Sequence, residues 1–253
     1  MDRLFSLGGR TALVTGASGT LGGHFARVLH GAGARVALAA RRTEATARLA
    51  AELGDGAAPV PLDVTDTGSI AACYAAAEAA FGEACSIIVN NAGIAVTKPV
   101  LEMAPEDFDG VLDVNLRGCF LVAQEGARRL VAAKRPGSIV NIASVLGTRI
   151  IPGVAGYTAA KAGLLHMTRQ MAVEFARYGI RVNAIAPGYV ASDINAGFFA
   201  SEPGQAMLKR VPQRRLGTPE DLTGPLLLLA SDAGAHMTGS TITVDGGHSI
   251  NSL

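Results

Sequence analysis

A tyrosine and a lysine four residues apart, in Tyr157-Thr158-Ala159-Ala160-Lys161, have the chemistry of an acid/base pair. On a helix, residues at this spacing lie on one face, one turn apart. A tyrosine phenol ordinarily titrates near pH ~10 and exchanges protons poorly at neutral pH, but a neighbouring ammonium favours the phenolate. The spacing alone is a weak signal, because an alanine-rich helix also contains it by chance.

Two polar residues upstream strengthen the signal. Ser144 follows the apolar run 138–143, which predicts a buried strand, so we expect its hydroxyl at the C-terminal end of that strand. Open α/β sheets bind their ligands at such ends. Asn115 lies inside a predicted helix, where asparagine is unfavourable without a reason. It is either a functional residue or a buried amide whose hydrogen bonds are satisfied.

The elements that must position these side chains alternate between strand and helix. Apolar runs predict strands at 10–15, 35–40, 58–62, 87–90, 137–142, 181–185 and 241–244, with helices between them at about 21–31, 44–53, 69–81, 105–133, 154–178 and 218–230. This alternation predicts an α/β fold with one Rossmann-type, doubly wound parallel sheet and helices on both faces. We expect a single domain over 1–253, with its one long insertion, at about 187–216, as the substrate loop.

Composition narrows the class of protein. Hydrophobic residues make up 49% of the 253 residues, enough for a sizeable core, and the net charge of +1 gives no global attraction to nucleic acid or anionic membrane. Cys73, Cys85 and Cys119 lack metal or redox spacing, so we expect buried thiols and no metal site. The N-terminal residues lack the apolar segment of a signal peptide, and no run reaches the length of a membrane span. We therefore expect a cytoplasmic protein that binds neither nucleic acid nor membrane.

A glycine-rich turn follows the first predicted strand, in Thr15-Gly16-Ala17-Ser18-Gly19-Thr20-Leu21-Gly22-Gly23. Strand, glycine turn, helix and strand form the start of a dinucleotide-binding unit, where glycines let the backbone approach a pyrophosphate at the helix N-terminus. The alternative is a tight turn without a ligand. The candidate cofactor contacts here are Gly16, Ser18, Gly19, Thr20 and Leu21. We predict that Thr20 has a negative φ and opens the helix, while Gly19 takes any unusual torsion.

The end of the second predicted strand bears on the choice of cofactor. An NAD-specific site needs a carboxylate near here for the ribose hydroxyl, and Ala40 cannot supply one. Arg41 and Arg42 instead offer guanidinium forks for a 2′-phosphate. A solvated helix start is the alternative, although cations at a helix N-terminus oppose its dipole. The sequence favours NADP, with NAD possible.

In order and spacing, these motifs resemble the short-chain dehydrogenase/reductase family over nearly the whole chain, from Thr15 to Gly247. Thr20 departs from the family's glycine turn, Thr-Gly-x-x-x-Gly-x-Gly. The four-residue spacing of Tyr157 and Lys161 resembles the ketoreductase branch, with 3-oxoacyl-carrier-protein reductases, gluconate 5-dehydrogenases and carbonyl reductases, rather than the enoyl reductases.

The resemblance implies a role for each candidate catalytic residue. Tyr157 donates a proton to the developing alkoxide, and Ser144 hydrogen-bonds the same oxygen. Lys161 favours the phenolate and holds the nicotinamide ribose, and Asn115 positions a proton-relay water. The implied reaction interconverts a ketone and a secondary alcohol by hydride transfer.

The resemblance also extends the set of cofactor contacts. Asp63 and Val64 would contact the adenine, although Asp63 alone could merely cap a turn. The remaining implied contacts are Asn91, Ala92, Gly93, Pro187, Gly188, Val190 and Ser192, together with Tyr157 and Lys161. Asn91 could alternatively serve only to tie strands together.

The family resemblance also bears on how the subunits assemble and on which substrate the protein uses. The family commonly forms homotetramers through its two long helices, here about 105–133 and 154–178. Small residues would allow close helix approach there, namely Gly126, Ala127, Ala132 and Ala133. Carrier-protein reductases use two surface arginines for docking, and this chain has Arg129 at the first position but Val173 at the second. That favours a small free ketone. A 3-oxoacyl-carrier-protein reductase, a sugar-acid dehydrogenase and a non-catalytic nucleotide-sensing regulator remain as alternatives.

Overall fold

The central element is a seven-stranded, all-parallel sheet. A computed structural model of the protein describes residues 2–191 and 196–251, without the side chains of Asp2, Arg3, Ala196 and Phe198. The strands are β1 (Thr11–Thr15), β2 (Arg35–Ala40), β3 (Ala57–Pro61), β4 (Ile87–Asn90), β5 (Gly137–Ile142), β6 (Ile180–Pro187) and β7 (Thr241–Val244). Their order is β3-β2-β1-β4-β5-β6-β7, which confirms the predicted doubly wound, Rossmann-type sheet.

The strand order reverses direction between β1 and β4. The chain moves outwards from β1 to β3, then returns to pair β4 with the other side of β1 and continues to β7. At such a reversal the connections leave in opposite directions and open a crevice at the C-terminal ends of the strands, where ligands bind. The candidate site is therefore expected above β1, β4 and β5.

Helices cover both faces of the sheet. They are α1 (Asp2–Phe5), α2 (Thr20–Gly31), α3 (Thr43–Leu53), α4 (Thr67–Phe81), α5 (Pro105–Leu112), α6 (Cys119–Ala132), α7 (Ala155–Phe175), α8 (Ala196–Ala200), α9 (Glu202–Leu208) and α10 (Thr223–Ala230). Successive strand residues point to opposite faces, so Leu13 packs with α4, α6 and α7, while Ala12 and Val14 pack with α2, α3 and α10. Both faces are buried, which is why the strands have few polar positions.

The long helix predicted over 105–133 is interrupted. Its path continues from α5 to α6, but Asp113–Gly118 between them is π-helical. A π-helical turn is rare and marks a place where a side chain or a site forces the backbone out of the α-helical pattern. Here the forced residue is Asn115, whose buried amide binds a neighbouring loop.

The insertion at 187–216 is more regular than predicted. It contains α8 and α9, and the side chain of Ser201 caps α9 by accepting a hydrogen bond from the backbone N–H of Gly204. Ser192, an implied cofactor contact, lies outside the described residues.

The three cysteines are buried free thiols, as expected, and burial raises the pKa of Cys73 and of Cys85 to about 12. Within residues 2–191 and 196–251, no group of three or more histidine, cysteine, aspartate and glutamate side chains is arranged to hold a metal ion. Among the described helices, none combines the length and apolarity needed to cross a membrane.

Candidate active site

The turn between β1 and α2 depends on two glycines. Gly16 has a φ of +66°, and a Cβ there would lie 3.0 Å from the Cα of Ala92. Gly22 leaves even less room for a side chain, because an added Cβ would lie 2.2 Å from the carbonyl oxygen of Gly16. The first turn of α2 therefore packs directly on the backbone of the turn.

Thr20 begins α2 with a negative φ, as predicted. The prediction that Gly19 takes the unusual torsion is wrong, because its φ of −99° is open to any residue and Gly16 adopts the left-handed conformation instead. Gly19 is the N-cap and has no capping side chain, so the first-turn N–H groups of α2 remain available to an anion. This cradle fits the pyrophosphate of a dinucleotide.

Two exposed arginines flank the turn. Arg42 donates from Nε to Oγ of Ser18 at 3.3 Å and from Nη2 to the carbonyl oxygen of Ser18 at 3.1 Å. Arg41 forms no hydrogen bond or ion pair with another described residue. A guanidinium fixed on the turn beside a second exposed guanidinium is a suitable arrangement for a phosphate group.

Asp63 follows β3 on the same side of the sheet. Its carboxylate accepts hydrogen bonds from the backbone N–H and the hydroxyl of Thr65, at 2.9 and 2.8 Å. These bonds, with a smaller contribution from the charge of Arg41, hold the pKa of Asp63 below its usual value. The structure thus shows Asp63 shaping a turn. Val64 is buried against Gly118, where a Cβ would lie 2.9 Å from Cγ2 of Val64.

Thr15 and Asn91 join the ends of β1 and β4 at the reversal point. The hydroxyl oxygen of Thr15 accepts from the backbone N–H groups of Asn91 and Ala92, both at 2.9 Å. The side-chain amide of Asn91 donates to the carbonyl oxygen of Thr15 at 3.0 Å. Asn91 therefore does tie strands together. Thr15 was missed as a site residue, and its signal was a hydroxyl at the end of an otherwise apolar strand.

Asn115 fixes the segment that follows β4. Its Oδ1 accepts from the backbone N–H of Ile94, and its Nδ2 donates to the carbonyl oxygen of Ile94, both at 2.8 Å. A Cβ on Gly93 would lie 3.3 Å from Oδ1 of Asn115. The amide is fully buried and satisfied, and it connects the π-helical turn to the Asn91–Gly93 segment.

Lys161 and Ser144 meet at the end of β5. Lys161 is only 4% exposed, and its Nζ donates to the carbonyl oxygen of Ile142 at 2.8 Å. Ser144, two residues further on, accepts at Oγ from the backbone N–H of Leu146 at 3.1 Å. The turn that follows packs on α7, because a Cβ on Gly147 would lie 2.9 Å from the carbonyl oxygen of Lys161.

Tyr157 completes the group on the first turns of α7. The ammonium of Lys161 lies 5.5 Å from the centroid of its ring. Tyr157 is only partly buried, whereas Asn115, Ser144 and Lys161 are buried. The arrangement brings a solvent-accessible phenol, a buried hydroxyl and a buried ammonium to one edge of the sheet, where they can exchange a proton with a bound oxygen.

A buried polar chain supports this edge. Asn90 and Asn141 are paired in register on β4 and β5, and Nδ2 of Asn90 donates to Oδ1 of Asn141 at 2.9 Å. Asn141 in turn donates to the hydroxyl of Thr168 on α7 at 2.9 Å. The sequence analysis missed this chain. Its signal was an asparagine at or near the end of each of two adjacent apolar strands.

The remaining predicted contacts follow β6. Pro187 ends the strand, and Gly188 donates its N–H to the carbonyl oxygen of Val244 at 2.9 Å. Val190 forms an isolated bridge with Gly217. A cavity of about 320 Å³ lies beside this segment, lined among others by Tyr189, Val190 and Asp245 but by none of the four catalytic candidates.

Comparisons with known proteins agree with this geometry. A family model described as Enoyl-(Acyl carrier protein) reductase matches residues 16–249. The chain is 37% identical over 244 residues to the 3-oxoacyl-[acyl-carrier-protein] reductase FabG of Rickettsia bellii, covering 96% of this chain and 98% of the relative. It is 39% identical over 249 residues to 3beta-hydroxysteroid dehydrogenase 1 of Eggerthella lenta, covering 96% and 95% respectively.

A solved structure gives the same result. The gluconate 5-dehydrogenase from Burkholderia cenocepacia, crystallised in complex with NADP and tartrate, superposes with a TM-score of 0.94 at 35% identity, covering 99% of each chain. Fold, sequence and the residues at the sheet edge lead to one conclusion. This chain belongs to the short-chain dehydrogenase/reductase family of NAD(P)-dependent oxidoreductases.

Proposed function

We propose that the protein interconverts a ketone and a secondary alcohol with NADP as its preferred cofactor, and that Tyr157 is the acid/base. The observation that carries the proposal is the position of Lys161, whose buried ammonium is anchored at the end of β5 beside the ring of Tyr157. A buried ammonium without a carboxylate partner is costly. That cost is explained if the ammonium of Lys161 stabilises the phenolate of Tyr157.

Each side chain then has a separate task. Tyr157 donates its proton to the substrate oxygen in reduction and accepts it in oxidation. Oγ of Ser144 already accepts from Leu146, so its hydroxyl proton can be donated to the same oxygen, where negative charge develops. One N–H of the Lys161 ammonium donates to the carbonyl oxygen of Ile142, which fixes the position of the charge. The other two N–H groups remain as donors, one toward the phenolate of Tyr157 and one toward the cofactor ribose.

In this proposal, Asn115 contributes by holding the wall of the site in place. Both polar atoms of its amide bind Ile94, so the side chain holds the wall of the site. A proton-relay water would then be bound by the backbone of the π-helical turn, where the regular hydrogen-bond pattern is broken.

The cofactor, when bound, supplies or accepts the hydride. We assign its pyrophosphate to the turn before α2 and its 2′-phosphate to Arg41 and Arg42. The remaining proposed contacts are Ser18, Thr20, Leu21, Asp63, Val64, Asn91, Ala92, Gly93, Pro187, Gly188 and Val190, with Ser192 outside the described residues. The related structure that contains NADP supports NADP as the cofactor.

A free ketone fits the surface better than a carrier-bound acyl chain. Arg129 donates to Glu78 at 2.6 Å and to Glu125 at 2.7 Å, and its guanidinium lies 5.6 Å from the centroid of Tyr74. Its charge is therefore already neutralised. The second docking position is Val173, which is 78% exposed and uncharged.

Assembly and location stay proposals: a homotetramer in the cytoplasm. Phe120, Val131 and Val173 leave apolar surface exposed on α6 and α7, which supports a subunit contact there. Gly126 and Ala127 do not contribute, contrary to the sequence-based expectation. They face the protein's own core, and a Cβ on Gly126 would lie 2.2 Å from Cδ1 of Ile88.

The decisive experiment replaces the phenolic hydroxyl. Tyr157→Phe should lower the rate of ketone reduction by a factor of about 10² or more, while NADPH binding, followed by its fluorescence, is retained. Tyr178→Phe is the matched control, because that tyrosine is exposed and its hydroxyl accepts from its neighbour Arg177. Near-normal turnover by Tyr157→Phe would remove Tyr157 from the mechanism, and a non-catalytic nucleotide sensor would show no turnover in either protein.

A further inference from the structure

Five large apolar side chains are exposed on segments that frame the proposed site. They are Ile94 (37% exposed), Val100 (69%), Leu101 (100%), Ile150 (86%) and Ile250 (87%), and we call them the apolar rim. Exposed apolar residues are common singly, but several on connected segments beside a cleft indicate a binding surface.

Hydrogen bonds connect the three segments that carry the rim. The first leaves β4 and is fixed at Ile94 by Asn115. The second is the loop between Ser144 and Tyr157, and the backbone N–H of Lys98 in the first segment donates to the carbonyl oxygen of Gly153 in this loop at 2.8 Å. The rim therefore continues directly from the residues proposed to hold the substrate oxygen.

The C-terminal segment joins the same loop. Arg149 donates from Nη1 to the carbonyl oxygen of Ser249 at 2.9 Å, which joins the residue before Ile150 to the residue before Ile250. Asp245 holds this segment in place, because its carboxylate accepts from the backbone N–H groups of Gly247 at 2.9 Å and Ser249 at 2.6 Å.

Three polar side chains among the rim, Lys98, Thr148 and Arg149, are engaged with the protein itself. Lys98 forms an ion pair with Asp107 at 2.5 Å. The hydroxyl of Thr148 donates to the carbonyl oxygen of Val145 at 3.0 Å, and Arg149 is held by Ser249. A substrate covered with hydroxyl groups would lose water here and gain few hydrogen bonds in return.

We propose that the substrate is a free ketone with an extended hydrocarbon body, which packs against the apolar rim while Ser144 and Tyr157 hold the carbonyl oxygen. The inference rests on the proposed function and adds the chemical class of the substrate. Burial of hydrocarbon against Leu101 and Ile150 would supply binding free energy that a polyol or sugar acid cannot obtain from these side chains.

The experiment compares kcat/KM along a series of methyl ketones from 2-butanone to 2-decanone, with a keto sugar acid as the polar probe. Because each buried methylene adds favourable transfer free energy, kcat/KM should rise by about twofold or more per methylene. The keto sugar acid should be a poorer substrate than 2-decanone.

Two variants locate the effect. Ile150→Ser and Leu101→Ser should each lower kcat/KM for 2-decanone by about tenfold and leave that for 2-butanone within about twofold. Leu4→Ser is the control, since Leu4 is 54% exposed on α1, outside the rim and the proposed subunit contact, and should leave both values unchanged. Unaltered circular dichroism and NADPH binding confirm that the variants are folded.

The possible failures are distinguishable. Equal kcat/KM along the series, or a preference for the keto sugar acid, would overturn the substrate class while the reaction stands. A rim variant could reduce the sedimenting mass and leave kcat/KM unchanged for every methyl ketone. That result would show that a second copy of the chain covers the rim, and it would also overturn the substrate class. Absence of turnover with every ketone, in protein that binds NADPH, would overturn the proposed function itself.

Discussion

The ammonium of Lys161 lies beside the ring of Tyr157, 5.5 Å from its centroid, and is bound at the same time to the last carbonyl of β5. One lysine thus connects the helix that carries the phenol to the strand that leads to Ser144. The position of its charge is set by the sheet, so the distance between charge and phenol does not depend on a flexible side chain.

The cofactor preference is tested at Arg41. Arg41→Ala should raise the KM for NADPH by about tenfold, because one charge-assisted contact with the 2′-phosphate is lost, and leave the KM for NADH nearly unchanged. Arg48→Ala is the control, an exposed arginine further along α3. Equal changes for NADPH and NADH in Arg41→Ala would show that Arg41 does not contact the phosphate.

The glycine turn predicts opposite outcomes for two similar changes. Gly22→Ala places a methyl group 2.2 Å from the carbonyl oxygen of Gly16 and should lower the free energy of unfolding by at least about 2 kcal/mol. Gly19→Ala meets Gly16 only at 3.6 Å, with an ordinary φ, and should be near neutral. Urea denaturation measures both. Similar stability of the two variants would contradict the packing described for this turn.

Stability at low pH should depend on Glu83, at the end of the sheet opposite the site. Burial opposes its ionisation, but hydrogen bonds from Arg135, Thr11 and Arg35 prevail and lower the pKa below its ordinary 4.5. A carboxylate with a depressed pKa stabilises the fold fully above the unfolded value, and the stabilisation is lost as the pH falls through the folded value.

Glu83→Gln should therefore lower the free energy of unfolding by about 2 kcal/mol at neutral pH. The difference from the wild type should shrink below pH 4.5, the ordinary value for the carboxyl. Glu52→Gln serves as the control, because its ion pair with Arg27 is exposed and screened by solvent. A constant difference across the pH range would exclude the ionised carboxylate as the cause.

Carrier discrimination is the last test. With Arg129 occupied by Glu78 and Glu125, a 3-oxoacyl group on the carrier protein should react with a kcat/KM similar to that of the same group on a short thioester. A preference for the carrier of a hundredfold, about 2.7 kcal/mol of transition-state binding, would contradict this. Val173→Arg restores the missing charge and should increase activity with the carrier only.

The sequence predicted what local patterns determine. The strand over 137–142 was placed correctly because its apolar run is bounded by Gly137 and Ser144, and Pro105 was placed at the first position of α5 because proline suits no other helical position as well. The position of Ser144 followed from the rule that parallel strands gather their C-terminal ends at one edge. The pairing of Tyr157 with Lys161 followed from their four-residue spacing on one helix.

What the sequence left out depends on contacts between distant residues. The π-helical turn coincides with the hydrogen bonds between Asn115 and Ile94, and Arg129 is neutralised by Glu78, which lies 51 positions away. Gly126 was assigned to a subunit contact because composition alone cannot tell which side of a helix meets the core. No local pattern encodes these pairings.

The π-helical turn also preserves the rotational phase of the helix that follows it. Each residue of an α-helix advances the chain by about 100°. The wider π-helical turn, with i→i+5 hydrogen bonds, spreads the rotation of about five α-helical residues over the six residues Asp113–Gly118. Deletion of one residue there would restore a regular helix and leave α6 in phase, with Gly126 still against Tyr74 and Ile88, but it would remove the local geometry by which Asn115 reaches Ile94. The extra residue thus serves the catalytic edge and leaves the packing of the core unchanged.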